Sequence, residues 1–283
     1  MERNENEIKD NGGGGYTFDA PPLPVPTRQA LLDAGINIAV GIPMERTLTD
    51  WSFIHFWQIA RRGWPLIDHV YGRTDINRNR MAKWVRDNPE YTHLLMLDLD
   101  HIHAPNIVER LASWVLDDPS RLVVSGMHFR RAAPFDPCAF VFGPDGELHA
   151  PVNWEPGLFE VHAVGHGSIL IAREVFERLP EPWWAYTYEG VERNVFPSED
   201  MWFSHICRQG GVKMWVDTTV TSPHLITNLV DGDTFRRFVA EHPEAVAIRD
   251  GKMVEQVEAK SNGHRPNRKM AKRPKARKAV QGV

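Results

Sequence analysis

The sequence predicts an α/β fold, with a mainly parallel central sheet and helices on both faces. Three observations predict it. From residue 36 onward, short apolar runs closed by Gly or Pro alternate with stretches whose apolar residues recur at helical spacing. The run LLML at 94–97 is continuously apolar, as a strand covered on both sides must be. The 283 residues, 42% of them hydrophobic, suffice to bury a full core in one main domain.

The elements follow in order. INIAVGIP (36–43) reads as the first strand. In TLTDWSFIHFWQIARRG, Trp51, Ile54, Phe56, Trp57 and Ile59 recur at helical spacing, and Gly63 supplies the stop. Asp75 can cap a second helix with Ile76, Met81, Trp84 and Val85 on its apolar side, ending before Asn88-Pro89. YTHLLMLDLDHIH (91–103) opens as a buried strand. Pro105 suits a helix start, Ile107, Leu111, Trp114 and Val115 form a core stripe, and RLVVSG (121–126) is another strand. Residues 127–154 are looser, with a hairpin turn at 143–146. FEVHAVGHGSILIAREVFERL gives a strand, a glycine-flanked histidine and a short helix. SEDMWFSHICRQGG is a helix capped by Ser198 and stopped at Gly210, and VKMWVDTTV is a final strand leading to SPH. The expected organisation is a flexible extension at 1–30, the main domain at 31–230, a helical segment at 231–258 and a disordered basic tail at 259–283.

Charge and composition narrow the class. Nine of the 33 Lys and Arg lie in 259–283, which has no acid; that leaves 24 bases against 37 acids in 1–258, or about −13. Such a tail can touch nucleic acid or an anionic surface. No run approaches the ~18 apolar residues of a membrane helix, and the N-terminus has no apolar core of a signal peptide. Cys138 and Cys207 show no paired spacing and fit a reducing cytoplasm, so the expected location is cytoplasmic. Most of the ten tryptophans fall at core spacing, which favours packing over stacking on a ligand.

The chemistry starts where the LLML strand runs out. In an open sheet, ligands bind outside the carboxyl ends of the strands, and Asp98 and Asp100 lie there. Residues two apart on an extended chain point to one side, so both carboxylates can face one cation, and hard oxygen ligands suit Mg²⁺ or Mn²⁺ over zinc. His101 and His103 alternate with them, but four ligands so close in sequence would strain one site, and at most one of the two is expected near the metal.

THLLMLDLDHIHAPNIVERL, then VVSGMHFRRAAPFDP, VGHGSILIAREVF and SEDMWFSHICRQGGVKMWVDTTVTSPH, together resemble the GT-A-fold nucleotide-sugar glycosyltransferases, family-2-like, of bacteria and phages. The similarity runs in order from Ile36 to His224. It implies that Asp98 and Asp100 are the Asp-x-Asp that holds Mn²⁺ or Mg²⁺ on the donor diphosphate, with His224 a further metal ligand. It implies Asp200, with Glu199 close behind, as general base for the acceptor hydroxyl. Gly165, His166 and Gly167, together with Arg130, fall beside the sugar and acceptor; a histidine between those glycines departs from the family pattern. Gly41, Ile42, Pro43 and Leu99 fall on the donor, as do Arg78 and Arg80, whose guanidinium groups suit phosphate.

The activity so implied is hexosyl transfer from a nucleoside-diphosphate sugar to a hydroxyl of a glycan, small molecule, protein or modified DNA, with inversion favoured and retention open. Two other classes stand beside it. A metal-dependent nucleotidyl or phosphoryl transferase would share the sheet and the Asp pair, yet GIPMERTLTD has neither GxGxxG nor GxxxxGK[ST]. A non-catalytic carbohydrate- or nucleic-acid-binding protein would use the same scaffold without turnover.

Overall fold

The computed structural model describes residues 18–20, 23–44, 50–70, 72–186, 198–225, 229–243, 248–249 and 252–253. The tail at 259–283 and the first 17 residues lie outside them. In chain order the elements are β1 (Phe18–Ala20), α1 (Arg28–Asp33), β2 (Ile38–Met44), α2 (Asp50–Arg61), β3 (Leu66–Val70), α3 (Thr74–Asp87), β4 (His93–Leu97), α4 (Ile107–Asp117) and β5 (Val123–Met127). There follow β6 (Ala139–Phe142), β7 (Leu148–His149), β8 (Leu158–Val161), β9 (Ala163–Val164), β10 (Ser168–Ala172), α5 (Arg173–Arg178), α6 (Glu199–Gln209), β11 (Met214–Thr221), β12 (His224–Leu225), β13 (Leu229–Val230) and α7 (Gly232–Glu241). The short strands Ile248–Arg249 and Lys252–Met253 pair with each other.

Eight strands form the central sheet in the order β1-β8-β11-β5-β10-β4-β2-β3. Six of them share one direction; β8 and β10 run against it. The α/β class predicted from sequence is thus observed, with β10 wedged antiparallel between β4 and β5. The two faces of β4 sort the core. Leu95 and Leu97 join the helix side formed by α1, α2 and α4, while Leu94 and Met96 join α3, α5 and α6 on the other side.

The helices show where periodicity read correctly. All four expected residues of α4 are buried, and Trp114 donates from Nε1 to the buried Asp217 at 2.8 Å. In α2 only Phe56 and Ile59 of the described set are buried; Ile54 and Trp57 are each 55% exposed. In α3 the inner face runs through Arg78, Met81, Ala82 and Val85, and Ile76, two residues from Arg78 and so about 200° around the helix, is left outside. Gly63 ends α2 with φ +88°, and at the end of α6 the left-handed position falls to Gly211, φ +67°, one residue past the expected Gly210. Pro105 sits just before Asn106, the residue that precedes α4. The turn at 143–146 closes β6 on β7, with Gly146 at φ +78°. Trp64, Trp114, Trp183 and Trp184 are fully buried, so these four pack.

His93, at the start of β4, yields a stability prediction away from the strand ends. Its Nδ1 meets Thr92 Oγ1 at 2.8 Å, and burial lowers its pKa to about 4. The unfolded chain binds this proton near pH 6.5 and the native chain does not, so stability held above that pH is lost as pH falls toward 4. At pH 5 the loss is about 2 kcal/mol. Urea melts at pH 7 and pH 5 should therefore show a loss that is smaller by this amount in His93→Gln.

Candidate active site

The site is built where β4 leaves the sheet. Asp98 still donates its backbone N–H to the Gly167 carbonyl at 3.0 Å, after which the chain turns along the segment that follows β11. His101 and His224 form an antiparallel bridge, flanked by Ile102 N–H to Pro223 O at 2.9 Å and Leu225 N–H to Asp100 O at 2.6 Å. This ladder brings residues 124 apart in sequence into contact. His103 fixes the turn from below: Nε2–H donates to the Asp98 carbonyl at 2.9 Å and Nδ1 accepts from Ser222 Oγ at 3.0 Å, while burial holds its pKa down at about 3. One of the two DHIH histidines reaches the ligand cluster, and it is His101.

Asp100, His101 and His224 place possible ligand atoms within 4.8 Å of one another. His101 Nδ1 meets Asp100 Oδ1 at 3.0 Å. His224 gives its Nδ1 proton to the Phe129 carbonyl at 2.8 Å, so in the neutral ring the Nε2 lone pair faces Asp100 Oδ2 at 3.3 Å. Two acceptors facing across that gap are relieved by a cation between them, and a carboxylate beside imidazole nitrogens suits a divalent transition metal. Burial alone would raise the Asp100 carboxyl; His101 and His224 in their imidazolium forms would outweigh it and hold the group below the usual carboxylate range, whereas their neutral rings offer it lone pairs. Arg131 adds a contact to Asp100 Oδ2 at 3.1 Å.

Asp98 takes a different partner. Arg78, 2% exposed, reaches both of its oxygens from one terminal nitrogen, at 3.0 and 3.1 Å. The same guanidinium lies 3.6 Å from Glu199 and donates to the His166 carbonyl at 3.4 Å. The two aspartates, expected to share one cation, are thus divided between a buried arginine and the histidine cluster. Glu199 and Asp200 open α6 behind Ser198, whose side chain makes no capping bond. Burial pushes both carboxyls up, with Asp200 adding to the rise of Glu199 and Arg78 opposing the rise of each. The Tyr186 hydroxyl, beside Glu199, opposes that residue's rise. A Cβ on Gly165 would meet His128 Nε2 at 2.7 Å and Cys138 Cβ at 2.9 Å, with Asp200 Oδ2 at 3.5 Å, so this glycine is the close wall beside Asp200.

Arg78 is the charge that joins these parts. Burial by itself would lower its pKa, and Asp98, Asp200 and Glu199 raise it instead. Removing one partner of such a buried cluster costs about 3–5 kcal/mol. Arg78→Met should lose that much in urea melts at pH 8 and less at pH 5, because protonation of the stranded carboxylates removes their need for a counter-charge. An equal loss at both pH values would show that packing, and not charge, is what Arg78 contributes.

The other predicted residues fall around this centre or away from it. His166 is buried beneath the site: Nδ1 accepts from Trp184 Nε1 at 2.8 Å, and the ring packs edge-on to Phe203. Gly41, Ile42 and Pro43 are buried within β2, which runs on to Met44; residues 45–49, beyond the strand end, lie outside the described residues. A Cβ on Gly41 would meet Met81 Sδ at 2.6 Å, so that glycine lets α3 approach the sheet. Leu99 packs against the α4 side of the core. Arg130 is turned toward Asp136, 3.6 Å away, and it is Arg131 that reaches Asp100. Arg80 is exposed on α3, outside the Asp98–Asp100 cluster. Sequence reasoning missed Tyr186, which sits in a Pro- and Trp-rich stretch without periodicity and carries no motif.

No protein-family model matches the chain, and no curated protein does. A solved structure, A197 from STIV, superposes with a TM-score of 0.53 at 14% identity, over 70% of this chain and 92% of that one. The chain shares its fold with A197. Two further solved structures align at lower scores: GalNAc-T7 with UDP, GalNAc and Mn²⁺ (TM-score 0.42, 12% identity, 77% of this chain and 52% of that one), and glucosyl-3-phosphoglycerate synthase from Mycobacterium tuberculosis with phosphoglyceric acid (0.45, 13%, 74% and 79%). Those two scores are too low to argue from, and the likeness to A197 establishes an architecture only. Among the described residues no helix is long and apolar enough to cross a membrane.

Proposed function

We propose that the protein is a divalent-cation-dependent glycosyltransferase of the GT-A type, moving a sugar from a nucleoside-diphosphate donor to an acceptor hydroxyl with inversion. Its support is one juxtaposition: Asp100 and His224 face each other at 3.3 Å, Glu199 and Asp200 form a separate buried acid pair, and the Arg78–Asp98 contact joins the two beyond the end of β4. Two carboxylate groups in different surroundings can take different roles.

In this reading Asp100 and His224 hold Mn²⁺ or Mg²⁺, with His101 orienting Asp100. The cation, when bound, supplies positive charge against the departing diphosphate. Arg78 keeps Asp98 and the acid pair in register and does not itself meet the donor. Asp200 takes the proton that the acceptor hydroxyl must shed as it attacks the anomeric carbon. Its raised carboxyl makes it a stronger base than an exposed aspartate. Glu199, 3.6 Å from the Arg78 guanidinium, positions it.

The test is incubation with UDP-, GDP- and dTDP-sugars in the presence of Mn²⁺. One of them should release free nucleoside diphosphate, and EDTA should stop the release. If no nucleotide sugar is consumed with either Mn²⁺ or Mg²⁺, the assignment fails.

A further inference from the structure

Beside the acid pair, the outer face of α3 and the segment 181–186 enclose a groove of about 590 Å³. Its wall is built, because Asn79 pins the segment to the helix: Oδ1 accepts from Trp183 N–H at 2.9 Å, and Nδ2 donates to the Trp184 carbonyl at 2.7 Å. The groove meets the site at Tyr186, whose side chain lines it and lies within electrostatic reach of Glu199 and Asp200. Ile76, left off the inner face of α3, and the half-exposed Tyr186 ring give it apolar surface.

Its charges do not cancel. Asp75 is paired with Arg73 at 2.7 Å, and Glu181 is paired with Arg86. Arg80 and Lys83, exposed and one helical turn apart, line the same groove, and among the described residues neither has an ion-pair partner. Arg80, a planar fork, and Lys83, a point charge, match a dianion with several acceptor oxygens.

We propose that this groove is an acceptor subsite for a phosphate monoester: the acceptor carries a phosphate that Arg80 and Lys83 grip, while its hydroxyl is presented past Tyr186 to Asp200. The subsite deepens the glycosyltransferase reading and rests on it for the word acceptor. It also gives Arg80 a phosphate partner other than the donor.

Glucose 6-phosphate and glucose, titrated calorimetrically into the full-length protein with EDTA present, test the subsite. The phosphate should bind at least tenfold tighter than glucose, and Arg80→Ala/Lys83→Ala should erase that preference while UDP with Mn²⁺ binds the variant as it binds the parent. Equal binding of the two sugars by the parent overturns the subsite, as does a preference that survives the double substitution. If the variant loses UDP instead, the groove belongs to the donor and the proposal is wrong. Phosphatidylcholine vesicles containing phosphatidic acid, sedimented with both proteins, separate the sources of the phosphate: a loss in the variant assigns it to a lipid headgroup, and no difference leaves a soluble phosphate. Failure of nucleotide-sugar turnover would sink the transferase reading and leave the phosphate titration standing; failure of the titration would leave turnover standing.

Discussion

Alanine at Asp100 should reduce sugar transfer by about 10³-fold or more and abolish the response of the protein to Mn²⁺. Asp100 is the group through which the cluster is assembled. His101, His224 and Arg131 all meet its carboxylate. The substitution removes one cation ligand and leaves the lone pair of His224 Nε2 without a partner across the gap. His224→Ala should produce the same loss of cation response, because the two residues share one ion. The fold should survive both changes, since Asp100 is 40% exposed on its side chain and lies outside the two core layers.

Asparagine at Asp200 should lower kcat by about 10²–10⁴-fold and leave the KM for the donor unchanged. Asparagine keeps the shape and cannot take a proton. The sign of the pH dependence follows from the direction of the shift. The carboxyl is raised by burial, with Arg78 opposing, so the base is lost by protonation at a pH above the ordinary aspartate range. Activity of the parent should therefore fall as pH drops through that raised value and level off above it, and the residual activity of the variant should lack this acid limb. A variant with the full rate and the parent's pH profile would place the base elsewhere.

How far the sequence disclosed these parts depends on whether the signal was local. The strand end at Asp98 and Asp100 was legible because an apolar run stops at charge, and the buried stripe of α4 because its period is undisturbed. His224 was reached only through resemblance, since the pairing that carries it to Asp100 is a ladder between distant segments. The division of the two aspartates was not legible. Alternation on an extended chain puts both on one side only while the chain stays extended, and here it turns after Asp98 under the hold of His103. Arg78 looked like a helix-surface cation able to reach phosphate, but its face of α3 packs inward, which the polar sequence RTDINRNR conceals. β3 and the reversed β10 were likewise missed: the first is a short edge strand interrupted by Asp68, and the direction of the second is set by pairing with β4 and β5 and not by its own residues. Ile54 and Trp57 held helical spacing and still face outward, because spacing gives a stripe without saying which stripe the sheet covers.

The most direct measurement of the central claim is calorimetric binding of Mn²⁺ and UDP to the parent, Asp100→Asn and His224→Ala. The parent should bind one Mn²⁺ per chain, more tightly with UDP present than without, and both variants should lose that ion and the coupling to UDP. Unchanged Mn²⁺ binding in both variants would contradict the assignment of the ion to Asp100 and His224.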